Sequence, residues 1–244
     1  MKNTDCFRVR VLAKTRGKSS GLFTLIVTIL ASLVCAAPGA VITSLSTTVP
    51  SGADVLASQT GSSGGLGWYD TGTGSERDIG QSFLATSSFS LDKITLALGG
   101  SFNSTTAKSS FTLTIYSASS LATSPAGAMV VSTQTGSFDF SSGNGGTGTY
   151  LTFDIADVSL AAGTYYTFML SLDIPSANNS LTVMQNTSST YTEGYRWLFN
   201  GTSYTSSTTS DLTFYAQAAV PEPSAAVLLA GSLGVVLLMR RKLS

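Results

Sequence analysis

Histidine is absent from the 244-residue chain, and cysteine occurs only twice, as Cys6 and Cys35. Without imidazole there can be no Ser-His-Asp triad and no His-ligated zinc. Charge is scarce too: 11% of residues are ionisable, against about 25% in ordinary soluble domains. Thirteen Lys and Arg balance thirteen Asp and Glu, which argues against nucleic acid as a partner. No glycine run ends in the Gly-Lys-Ser/Thr of a phosphate loop. No two acids are marked as a hydrolytic pair. A non-enzymatic chain without a cofactor is therefore expected. Its length suits one medium domain plus targeting segments.

The zero net charge averages three unlike pieces. Residues 2–18 carry six bases (Lys2, Arg8, Arg10, Lys14, Arg16, Lys18) and one acid, Asp5. Residues 41–220 hold four bases (Arg77, Lys93, Lys108, Arg196) against eleven acids, a net charge of −7. Arg240, Arg241 and Lys242 make the far end basic again. Bases beside apolar runs mark membrane-directed segments. Behind the first basic run lies an apolar stretch, Gly21 to Ala37, that ends in small residues. This is the layout of a secretory signal, so residues 1–40 are read as a signal peptide cleaved within 36–40. The partners are the secretion translocon and signal peptidase. Val34 before Cys35 disfavours a lipoprotein site, and Thr24, Thr28 and Ser32 interrupt the run too often for a lasting anchor. The cleaved chain would hold neither Cys nor His, leaving no disulfide and no thiolate chemistry.

Residues 220–244 divide into three parts. Pro221-Glu222-Pro223 is biased to extended backbone by two fixed φ angles, the form a protease or transpeptidase cleft accepts. Residues 225–239 are apolar and uncharged. As a transmembrane helix they span roughly 22 Å, short of a hydrocarbon core of about 30 Å. Arg240, Arg241 and Lys242 form a cytoplasmic charge stop by the positive-inside rule. This order resembles the PEP-CTERM sorting signal of Gram-negative bacteria. The resemblance implies processing by an integral-membrane exosortase near Pro221, Glu222 and Pro223. It also implies transient membrane attachment through 225–239, then delivery to the cell envelope, surface or extracellular matrix, with a link to exopolysaccharide and biofilm.

The middle, residues 41–219, alternates apolar and polar residues with the period of half-buried strands. Ile94, Leu96 and Leu98 make one such row; others are Phe111, Leu113 and Ile115, and Leu151, Phe153 and Ile155. Tyr166, Phe168, Leu170 and Leu172 form a fourth, and Leu212, Phe214 and Ala216 a fifth. Fainter strands are expected at 79–84, 129–137, 181–185 and 195–199. Turn clusters punctuate them at 61–65, 99–100, 141–146 and 161–163. About nine short strands predict an all-β antiparallel β-sandwich or jelly roll. The stretches Asp78–Phe83, Leu91–Gly100 and Leu160–Tyr166 resemble choice-of-anchor domains, which implies a surface domain.

Two sites in the body are candidates. Trp68, Tyr69, Tyr191, Tyr195 and Trp197 could stack on sugar rings, with Trp68 in a Gly-rich loop, which would make the body a carbohydrate-binding module. Asp70, Glu76 and Asp78 lie within nine residues and offer carboxylates to Ca²⁺, although solvated turn acids are the plainer expectation.

Overall fold

A computed structural model describes residues 40–71, 74–100, 108–139, 146–172 and 179–219. The expected signal peptide, apart from Ala40, lies outside these residues, as do Pro221-Glu222-Pro223, helix 225–239 and Arg240-Arg241-Lys242. Among the described residues no helix is long and apolar enough to cross a membrane.

Fourteen strands run through the described residues: β1 (Ile42–Ser46), β2 (Val55–Gln59), β3 (Gly64–Asp70), β4 (Glu76–Ala85), β5 (Phe89–Ala97), β6 (Lys108–Ala118), β7 (Met129–Asp139), β8 (Tyr150–Leu160), β9 (Thr164–Leu172), β10 (Asn179–Asn186), β11 (Arg196–Phe199), β12 (Tyr204–Ser207), β13 (Asp211–Leu212) and β14 (Phe214–Ala218). A five-stranded sheet has the order β1-β8-β5-β14-β2. A larger sheet has the order β13-β10-β3-β4-β9-β6-β7, with the hairpin β11–β12 added beside β3 along β4. All ladders between these strands are antiparallel. The expected all-β class holds.

The alternation in sequence shows which face each sheet buries. In the small sheet one inward row reads Leu45, Leu151, Leu96, Phe214 and Gln59. In the large sheet the inward row through β4 reads Ile115, Phe168 and Gln81. Both rows feed one core. Phe214 lies 6.2 Å from Phe83 and 5.8 Å from Phe168, centroid to centroid. Phe153 lies 5.1 Å from Phe111. Leu91, Ile94, Leu96, Leu98, Leu113 and Leu170 are fully shielded from water. Each such side chain contributes about 1.5–3 kcal/mol on burial. With no thiol pairing available, this core holds the body together.

Two glycines are required by geometry. Gly163, at φ +73°, turns the chain between β8 and β9 in a region that L side chains avoid. A Cβ at Gly80 would collide with the Phe168 carbonyl oxygen and Met169 Sδ, so β4 approaches β9 closely there only because the side chain is missing.

The two described ends of the chain share one pole of the small sheet. Ile42, at the start of β1, stands in a row with Asp154, Lys93, Gln217 and Val55. β14 finishes beside that row, where the Ala218 and Ala219 amides donate to the carbonyls of Asp54 and Ser90. Ser46, Tyr150, Ala97 and Gln59 lie at the opposite pole.

Candidate functional site

The expected aromatic platform does not form. Trp68 lies on strand β3, not in a loop, and faces inward with no exposed surface. Its indole packs among Phe111, Phe138 and Phe153, with centroids 5.7–6.4 Å away. Alternation along β3 puts Tyr69 on the other face, where the Arg77 guanidinium covers its ring at 5.0 Å. Trp197 is buried as well. It stands opposite Gly80, which in turn stands opposite Met169. Tyr195 is half-buried just before β11, and its backbone is held by Ser82: the Tyr195 amide donates to Ser82 Oγ at 2.7 Å, and the Ser82 amide donates to the Tyr195 carbonyl at 2.9 Å. Both tryptophans are thus taken up by the interior and present no ring to a sugar.

The three acids proposed for Ca²⁺ do not converge either. Asp70 and Glu76 face each other across the β3–β4 ladder. Glu76 reaches toward Gly201, where a Cβ would stand 2.8 Å from its Oε1. Asp78 is buried further along β4, opposite Phe199. Among the described residues no group of three or more Asp, Glu, Cys or His could hold a metal ion.

The polar residues that do come together lie where β4, β10 and β13 meet. Gln81 occupies an inward position in β4 and is fully buried. It is satisfied at both ends of its amide: Nε2 donates to Asp211 Oδ1 at 2.7 Å, and Oε1 accepts the Leu212 amide at 2.9 Å. One side chain thus fixes the two-residue strand β13 to β4. Asp211 is 1% exposed, and its Oδ2 has no hydrogen-bond partner. Burial pushes its carboxyl above the usual range, while hydrogen bonds from Ser189 and Gln81 and the charge of Arg196 pull the other way. Burial likewise lowers Arg196, and Asp211 opposes that shift. Arg196 Nη1 donates to Gln185 Oε1, and its Nε is left unpaired. Burial, with Glu193 and Asp211 nearby, raises the Tyr191 phenol well above its ordinary value.

A cleft of about 390 Å³ lies beside this seam, lined by Gln59, Thr60, Gly61, Asn186, Thr190 and Tyr191. Gln59 Nε2 donates to Ser189 Oγ at 3.5 Å, linking the cleft to the Asp211 neighbourhood. Of these six, Tyr191 alone is a binding candidate by sequence. The others are ordinary loop residues by type, and only the pairing of β3 with β10 brings 59–61 beside 186–191.

Comparison of the chain with protein-family models, with curated proteins and with solved structures gave no match.

Proposed function

We propose that the chain is an exported, non-enzymatic surface or matrix protein whose final 24 residues are a removable address. The single observation that carries this reading is the order of three parts in the sequence: Pro221-Glu222-Pro223, then apolar 225–239, then Arg240-Arg241-Lys242. An undersized helix stops transfer, and the basic cluster keeps its end in the cytoplasm. The single acid Glu222, held extended between two prolines, presents a substrate to an exosortase. The body is a choice-of-anchor-like β-sandwich, and its setting is the envelope or a hydrated exopolysaccharide matrix. In support of a tethered display domain, β14 ends at Ala218, three residues before Pro221, so the linker between the folded sheet and the motif is short.

Cell fractionation in the native host tests this. The parent protein is expected in the envelope or medium with its C-terminus cut near Glu222, as read by mass spectrometry of the mature ends. Glu222→Ala and deletion of 224–244 are expected to change the compartment. Recovery of the intact chain, still membrane-embedded, or an unchanged destination for the truncated chain, would refute the reading.

A further inference from the structure

The cleft between the 59–61 segment and the 186–191 segment has the chemistry of a neutral sugar site. Its lining supplies two carboxamides (Gln59, Asn186), two hydroxyls (Thr60, Thr190) and the half-buried ring of Tyr191, and no carboxylate, ammonium or guanidinium. An ion finds no counter-charge in that lining, whereas a polyhydroxylated ring finds donors, acceptors and an aromatic edge. The volume of about 390 Å³ falls within the roughly 300–1,000 Å³ of small-molecule sites.

The carboxamides of the lining are only partly used. Gln59 is 7% exposed, yet its Oε1 has no hydrogen-bond partner, which leaves that amide free to be re-paired when the cleft is filled. Across the cleft, Asn186 Oδ1 already accepts the Ser188 amide at 3.1 Å and the Ser63 hydroxyl at 3.4 Å. That orientation turns Asn186 Nδ2 toward Gly61, 2.7 Å from where a Cβ on that glycine would stand. Gln59 Nε2 lies 3.2 Å from the same point, so two carboxamide nitrogens stand together on the Gly61 side of the cleft. A neutral sugar hydroxyl has two lone pairs and can accept from both.

The cleft is also built in advance. Thr213 Oγ1 donates to the Gly61 carbonyl at 2.6 Å, and the Ser63 amide donates to the Gln185 carbonyl at 2.8 Å. These bonds hold the loop against β10 and β13 before any ligand arrives, which cuts the ordering cost of binding. The cleft lies at the pole of the small sheet opposite Ala219.

The geometry points to a binding site for one neutral sugar residue of a polysaccharide, held by Gln59 and Asn186 over Gly61. It replaces the Trp68–Trp197 platform and does not depend on the sorting tail. The test is saturation-transfer NMR on the full chain in amine-oxide micelles, which carry no sugar headgroup. The probes are methyl glucoside, methyl mannoside and methyl galactoside, with glycerol as the small-polyol control. At least one glycoside is expected to bind with a Kd of the order of 1 mM, a modest affinity suited to repeated contacts along a polymer. Gly61→Val, which fills the cleft, and Asn186→Ala are each expected to weaken it at least tenfold, while Thr205→Ala on the exposed β12 leaves it unchanged. If Gly61→Val lacks a cooperative melting transition, Asn186→Ala alone decides. Absence of binding by all three glycosides, equal binding of glycerol, or binding unaffected by Asn186→Ala overturns the proposal.

Discussion

Trp68 and Asp211 are the two residues whose placement most changes what can be expected of them. Trp68 fills the centre of an aromatic cluster with Phe111, Phe138 and Phe153. Replacing it with alanine is expected to destabilise the body by about 3–5 kcal/mol, read as a lower midpoint in denaturant. A tryptophan used only for ligand stacking would leave that midpoint unmoved. Asp211 keeps its proton to a higher pH in the folded body than its ordinary value of 3.8. The folded state therefore binds more protons than the unfolded chain across that interval. Stability is greatest below the ordinary value and is lost as pH rises through the raised one. Asp211→Asn preserves an acceptor for Gln81 and removes the buried charge. Thermal melts should show the variant gaining on the parent as pH rises from about 3.5 to neutral, with little difference at the acid end. A variant that loses stability equally at all pH values would show that the carboxylate is not ionised at a cost.

Strands were legible where one face is greasy and the other polar. β5, β6, β8 and β9 match the alternation of Ile94-Leu96, Phe111-Leu113-Ile115, Leu151-Phe153-Ile155 and Phe168-Leu170 because each buries one face in the common core. β3 was hidden for a physical reason: Gly64-Gly65-Leu66-Gly67 reads as turn chemistry, yet it pairs with β10 along seven residues. There the glycines yield room to a neighbour, since a Cβ on Gly65 would meet Thr182 Cγ2 at 2.6 Å. β1 and β12 were hidden because Ser and Thr dominate them and little of their surface is buried. The expected platform failed at this same scale: composition cannot tell which side of a strand a tryptophan takes until the register is known. Gly80→Ala tests the close approach of β4 and β9. With backbone as well as side chain in the way, a loss of about 3 kcal/mol is expected, at the upper end of overpacking costs. Chemical denaturation would measure it, and a near-neutral result would mean the two strands can part without penalty.

For the whole molecule, sequence and structure speak about different pieces. The proposed destination rests on the sequence of residues 1–40 and 220–244, and the fold on the described residues between them. The described part of the body ends on Ala218 and Ala219, whose amides donate to the carbonyls of Asp54 and Ser90. A chain lacking 224–244 is accordingly expected to melt within about 1–2 °C of the parent while missing its compartment. A large drop in melting temperature would mean that the tail contributes to the fold. The cleft was illegible in the sequence because its two walls are separated by more than a hundred residues and consist of Thr, Asn, Gln and Gly, which any loop uses.

The position of β14 has a mechanical consequence. It lies between β5 and β2, with its end at one pole and Phe214 at the other. A pull on Ala219, resisted at the far pole, runs along the strand rather than across it. Both flanking ladders then resist sliding together, so rupture needs many hydrogen bonds to fail at once instead of one after another.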